Sequence, residues 1–198
     1  SVVLEGAQRT MAMILFSVVM AASAFVFGAM AAHLPAVVEA AGVTAAAAGW
    51  IASVKGVAQT LARLVDLVFG RNLHPINLGR LTVAVLPLSF AAWFFGTAGV
   101  VTALAFSILF GITNGLTTIV RGAVPLALFG AKGYGEVLGI LATPYLVLNA
   151  VAPVVFAMIV DAGGLTVAVG VLFAVGVLAM VAMEIMGAWY RRGLENGP

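Results

Sequence analysis

The stretch Ala45–Phe69, AAAAGWIASVKGVAQTLARLVDLVF, decides how this chain is read. It is long enough to cross a bilayer as a helix, since a hydrocarbon core of ~30 Å takes about 20 residues. Yet it carries Lys55, Gln59, Arg63 and Asp66 at successive spacings of four, four and three. Those spacings lay all four on one stripe of an α-helix. A charge at bilayer depth costs roughly 3 kcal/mol on insertion scales, so it faces a protein interior or a water-filled cavity. The stripe therefore predicts a helix with a polar pathway along one side.

Outward from this helix the chain is overwhelmingly apolar. Of its 198 residues 64% are hydrophobic and 8% charged, with a mean hydropathy of +1.21. A soluble domain carries about 25% charged residues, so the composition predicts an all-α integral membrane protein, one bundle over residues 1–198. The net charge of +2 is too small to suggest nucleic acid as a partner. With no cysteine, disulfides, iron–sulfur ligation and thiol chemistry are excluded. The opening SVVLEGAQRTM lacks the basic-then-apolar pattern with a small-residue cleavage site, and reads as no signal peptide.

Six spans are expected, at about 11–32, 45–69, 81–96, 100–120, 137–160 and 165–188. The connection HLPAVVEAAGVT, the turn Gly96-Thr97-Ala98-Gly99 and the turn Asp161-Ala162-Gly163-Gly164 contain no Lys or Arg. The opposite side holds Arg9, Arg71, Arg80, Arg121, Lys132, Arg191 and Arg192. By the positive-inside rule both termini are cytoplasmic, in a multi-pass protein of the cell membrane. Trp189 and Tyr190, next to Arg191 and Arg192, read as an interfacial anchor. Gly111 with Gly115, and Gly135 with Gly139, have the four-residue spacing that lets helices approach closely. Pro144 and Pro153 bracket the middle of the fifth span, where each frees a backbone carbonyl.

Lys55 lies about 15 Å from the outer end of its span, near the midplane. It has no acid three or four residues away, so its partner comes from another helix, a substrate or water. Arg63 and Asp66 lie deeper toward the cytoplasm and can pair, as a gating or structural ion pair. Asn114, with Thr113, Thr117 and Thr118, places an amide in the fourth span near the same depth. Tyr145 and Asn149 do so in the fifth. Each amide is either an interhelical hydrogen bond or a solute contact. Lys55, Gln59, Asn114, Tyr145 and Asn149 together form the candidate substrate-binding set. Arg121 is expected to snorkel to lipid headgroups, and Glu184 is either a titrating carboxylate or half of an interhelical pair.

Enzymatic motifs are missing. There is no HExxH or other paired-histidine spacing and no GxSxG elbow, so neither a catalytic residue nor a metal site is assigned. The run GAKGYGEVLG misses the GxGxxG spacing by one residue and reads as the loop that starts a helix. No cofactor is expected, and coupling to protons is left open.

The run HLPAVVEAAGVTAAAAGWIASVKGVAQTLARLVDLVFGR, residues 33–71, resembles the seventh-to-eighth-helix region of major facilitator superfamily transporters. Gly56, Gln59 and Arg63 stand at that region's G-x-x-Q-x-x-x-R positions. The later runs RGAVPLALFGAKGYGEVLG and NAVAPVVFAMIVDAGG resemble the tenth-to-eleventh-helix hairpin of the same superfamily. Its cytoplasmic loop signature G-x-x-x-D-R-x-G-R appears in degraded form, as Asp66 followed by Gly70-Arg71 with one residue too many. The resemblance implies a carboxy-terminal six-helix half built of two three-helix repeats. Spans one, two, four and five would face the cavity, and substrate would bind between the halves near the midplane. It also implies a partner, because such transporters have twelve helices. The chain is then a fragment, a split subunit or a half that pairs with another copy. The function so implied is secondary transport of a small polar or anionic solute by alternating access, with membrane lipid and a second six-helix half as partners. A non-transporting six-helix scaffold and a six-helix channel are the alternatives.

Overall fold

A computed structural model describes residues 3–195. Within them lie six helices: α1 (Gly6–Ala40), α2 (Ala45–Phe69), α3 (Pro75–Phe95), α4 (Val100–Phe129), α5 (Tyr134–Gly163) and α6 (Leu165–Glu195). A 3-10 turn, Gly70–Asn72, follows α2. The Arg71 side chain, counted among the basic loop residues, lies outside what is described.

All six expected spans are helical, but most run on past the expected ends. α4 has 30 residues and passes residue 120 by more than two turns. A helix of that length is ~45 Å long and overshoots a ~30 Å hydrocarbon core. Five helices, all but α2, are long and apolar enough to cross a membrane. This fits a multi-pass membrane protein. α2 departs from the six-span expectation for a local reason. Its 25 residues suffice in length, but Lys55, Gln59 and Arg63 dilute its apolar character.

Helix ends follow from capping chemistry. The Thr44 hydroxyl accepts from the Ala47 N–H at 3.2 Å to start α2. His74 Nδ1 accepts from the Ile76 N–H at 3.3 Å, with Pro75 at the first position of α3. Between α5 and α6 the chain turns on Gly164, whose φ of 85° lies in the left-handed region open to glycine. The run GAKGYGEVLG supplies the loop before Tyr134, where α5 begins.

The packing has α1 and α4 at its centre. α1 packs chiefly on α5 and α6, and α4 on α2 and α3, while α3 and α6 pack on each other. α2 buries one stripe, Ala48, Ile51, Ala58 and Ala62. α5 likewise buries Val137, Leu141, Ala152 and Phe156. The rest of both helices is largely exposed and apolar, including Leu61, Leu64, Leu146 and Val154.

Two apolar clusters stack along the bundle. One holds Phe16, Met20, Val120, Val124, Leu128, Leu141 and Met183. The other holds Phe27, Met30, Ile51, Phe90, Phe106, Phe110 and Phe156. The boundary between them crosses α1 near Ser23, α3 near Ala84, α4 between Phe110 and Leu116, and α5 between Leu141 and Ala152. Buried hydroxyls collect at this level. Thr113 donates to the Thr82 carbonyl at 2.8 Å, and Ser23 is buried beside it in depth.

Lipid tails are as apolar as leucine, so helices in a bilayer associate through close packing and interhelical hydrogen bonds. Gly111 and Gly115 provide the close packing, with α4 resting on the backbone carbonyls of Lys55 and Gln59. Gly135 and Gly139 do not. A side chain at either would meet nothing within 4 Å, because that face of α5 is exposed. Tyr190 also departs from expectation. It is 4% exposed and packs 5.9 Å from the His74 ring, so its side chain is covered by protein and not open to lipid.

Candidate solute-binding site

The seam between α2 and α4 builds the site. These helices run in the same direction, so the register that sets Lys55 on Gly111 also sets Gln59 on Gly115. The missing glycine side chains bring the two backbones together. The polar stripe of α2 is thereby held along one edge of the seam.

Lys55 is half-buried, and its Nζ lies 5.7 Å from the centre of the Phe110 ring. A ring face attracts a cation through its quadrupole but supplies no neutralising charge. One turn on, Asn114 Nδ2 donates to Gln59 Oε1 at 3.4 Å. The next turn brings Arg63 Nε to the Gly115 carbonyl at 3.3 Å. The same carbonyl accepts from the Thr118 hydroxyl at 2.7 Å. Arg121, further along α4, places its guanidinium carbon 4.9 Å from the centre of the Tyr145 ring on α5. Asn114, Thr117, Thr118, Arg121 and Tyr145 border one shallow depression.

Four of the five candidate solute residues therefore lie along one polar face: Lys55 and Gln59 from α2, Asn114 from α4, and Tyr145 from α5. Asn149 is held elsewhere. Its Nδ2 donates to the Ala24 carbonyl at 3.0 Å and ties α5 to α1. Pro153 has no N–H to offer the Asn149 carbonyl, and Gly28 of α1 packs against that freed oxygen. α2 and α5 pack on opposite partners, α4 and α1. Lys55 and Asn149 thus share a level but sit on different flanks.

The expected Arg63–Asp66 ion pair does not form. Among the described residues the ion pair within 4.0 Å is Arg80–Glu184. Arg63 reaches across the seam to α4, whereas Asp66 lies against Gly70 at the end of its own helix. Asp66 also borders a groove of about 630 Å³ between α2, α3 and α4, lined otherwise by apolar residues such as Val57, Leu61, Ile112 and Leu116. Glu184 is settled as an interhelical pair. Arg80 donates to both its carboxylate oxygens, at 2.8 and 2.7 Å, clamping α3 to α6.

Two contacts escape a reading of the sequence. Arg121 lies over the Tyr145 ring, a contact between helices that local spacing does not reveal. His33 Nε2 donates to the Pro153 carbonyl at 3.2 Å, and its ring lies 4.8 Å from Phe156. The signal for it was present in principle, as a histidine level with a proline-interrupted span.

Lys55, Arg63 and Arg121 thus give one face three cations, interleaved with amide and hydroxyl groups. No carboxylate of a described residue lies within 4.0 Å of any of them. The face can donate many hydrogen bonds and attract negative charge. No group of three or more His, Asp or Glu among the described residues could hold a metal ion. A scan against protein-family models finds no match, and no curated protein sequence matches the chain.

Proposed function

We propose that the chain is a six-helix half of a major facilitator superfamily secondary transporter, moving a small polar or anionic solute across the cell membrane by alternating access. The observation that carries this is the exchange of partners between the first and last three helices. α2 packs on α4 as α5 packs on α1, and α3 packs on α4 as α6 packs on α1. Exchanging α1 with α4, α2 with α5 and α3 with α6 returns these principal pairs, while α5 packs on α6 more closely than α2 does on α3. Three spans per unit invert the second unit relative to the first, the arrangement in which transporters place a solute site at the midplane. The polar face at that level, with Lys55, Gln59, Asn114 and Tyr145, is the solute-facing surface in this reading. Asn149 contributes its remaining amide oxygen. A second six-helix half, from the same or another chain, covers the face, and lipid covers the rest. Both termini are cytoplasmic, and the solute is moved without chemical change.

The Asn149–Ala24 and Asn114–Gln59 bonds favour the scaffold reading, since interhelical locking is what a scaffold needs. Cysteine accessibility separates the two, and the chain contains no cysteine to interfere. Ser53, Gly56 and Thr60 are exposed along α2. Single variants Ser53→Cys, Gly56→Cys and Thr60→Cys in sealed vesicles are treated with a membrane-impermeant thiol reagent from either side. Alternating access expects Gly56→Cys to react from both sides, with the two rates shifting in opposite directions when solute is added. Protection of all three positions from both sides would remove the transport reading in favour of the scaffold.

A further inference from the structure

We propose that Arg63 and Arg121, supported by Thr118 and Asn114, form an oxyanion site, so that the solute bears a carboxylate or phosphate group. The inference rests on the transporter reading and narrows its solute class.

Height comes first. The register that pairs Lys55 with Gly111 and Gln59 with Gly115 places residue 63 level with residue 119. Arg121 is two residues further along α4, so the two arginines differ by about 3 Å in height. They also share a neighbourhood. Arg63 bonds the Gly115 carbonyl, Thr118 bonds the same oxygen, and Thr118 and Arg121 border the same depression.

Preorganisation comes second. Each guanidinium is held by a neutral group. Arg63 spends its Nε on Gly115, which leaves its two terminal nitrogens for a ligand. Arg121 lies over the Tyr145 ring, with no carboxylate of a described residue at its N–H groups. A guanidinium edge matches a carboxylate or phosphate with two parallel hydrogen bonds. Carbonyl and ring orient the cations without discharging them.

Charge comes third. Lys55 stands about 12 Å above Arg63 along α2, adding a third positive charge to the same face. Like charges repel strongly where water is scarce. The described carboxylates are committed elsewhere or distant. Glu184 is taken by Arg80, Asp66 turns to Gly70, and Glu5, Glu39, Glu136 and Asp161 are exposed at helix ends. A negative ligand is the group this face lacks.

The same oxyanion chemistry could come from a free solute or a lipid headgroup, and the test separates them. The full chain is purified in a neutral detergent, and its thermal unfolding is followed against succinate and inorganic phosphate. Succinamide and putrescine, at matched ionic strength, are the neutral and cationic comparisons. A parallel set uses nanodiscs with and without phosphatidylglycerol. Expected is a saturable rise in the midpoint with at least one of the two anions, and none with succinamide or putrescine. Arg121→Gln and Arg63→Gln should each weaken the apparent affinity about tenfold or more, the loss of one charge-assisted hydrogen bond. Arg121→Lys, which keeps charge but not the fork, should fall between. Lys132→Gln removes an equal charge from the exposed α4–α5 loop and should leave the affinity unchanged. Arg121 is exposed, so its variants remain informative if Arg63→Gln does not fold.

The proposal is overturned if neither anion stabilises the protein, if succinamide does so equally, or if the arginine variants bind as well as the parent chain. Stabilisation by phosphatidylglycerol alone assigns the site to lipid and also overturns it. Anion binding with Ser53→Cys, Gly56→Cys and Thr60→Cys all protected from both sides supports the oxyanion site and removes the transport reading. Uptake of a neutral solute with no anion binding does the reverse.

Discussion

Gly115 of α4 sits directly against the backbone carbonyl of Gln59 on α2, with no room for a methyl group between them. The contact sets the height of Arg63 against α4, and with it the hydrogen bond from Arg63 to Gly115 itself. A substitution at Gly115 is therefore felt in both the seam and the polar face.

Gly115→Ala should force α2 and α4 apart, because the obstructing atom is backbone and cannot rotate away. Overpacking of this kind costs about 1–3 kcal/mol, read as a lower thermal midpoint in detergent. Gly139→Ala is the comparison, since its added methyl meets nothing within 4 Å. Relief from glycine in a helix interior is worth about 0.5–1 kcal/mol, so that variant should be neutral or more stable. Equal midpoints for the two variants would refute the packing argument.

Arg80 and Glu184 form a two-pronged bond between α3 and α6. Arg80→Glu or Glu184→Arg alone should lose about 1–2 kcal/mol, because like charges then face each other across the helices. The double exchange should recover most of the loss. A double-mutant cycle on thermal midpoints measures this, and strict additivity would show that the pair is not coupled.

Asn149 donates to Ala24 at 3.0 Å, while Asn114 donates to Gln59 at 3.4 Å. The shorter bond is expected to matter more. Asn149→Leu should lower stability by about 1 kcal/mol, within the range for hydrogen bonds between membrane helices. Gln59→Leu should cost less than that. The reverse ranking, measured in one detergent, would contradict the assignment of Asn149 as the tie between α5 and α1.

Orientation is open to direct labelling. Ala131 lies exposed in the connection before α5, and Ala162 is exposed at its far end. The positive-inside asymmetry expects Ala131→Cys to react from the cytoplasmic side and Ala162→Cys from the outside. An impermeant maleimide on intact cells, before and after lysis, decides it. Reaction of Ala131→Cys in intact cells would invert the topology.

Much of the fold was legible because its signals are local. Runs of apolar residues mark the helices, and the turn before α5 is announced by GAKGYGEVLG. The close approach at Gly111 and Gly115 was legible too. The identical spacing at Gly135 and Gly139 packs on nothing. Spacing says that a helix has a smooth strip, not that a neighbour lies on it. The same limit applies to Tyr190, whose burial against His74 no local pattern reveals.

By itself the sequence determined the all-helical membrane class, the apolar helices and the polar stripe of α2, because composition and a 3.6-residue period are properties of each segment alone. It placed Lys55, Gln59, Asn114 and Asn149 at similar depth, since depth is a count of residues from a helix end. Only the tertiary structure decided who meets whom at that depth. Arg63 turns from Asp66 to Gly115, Arg121 lies on Tyr145, and Asn149 is drawn away to Ala24. Those choices depend on the rotation and register of one helix against another. Contacts between residues far apart in the chain set both, through the places where a glycine lets two backbones touch.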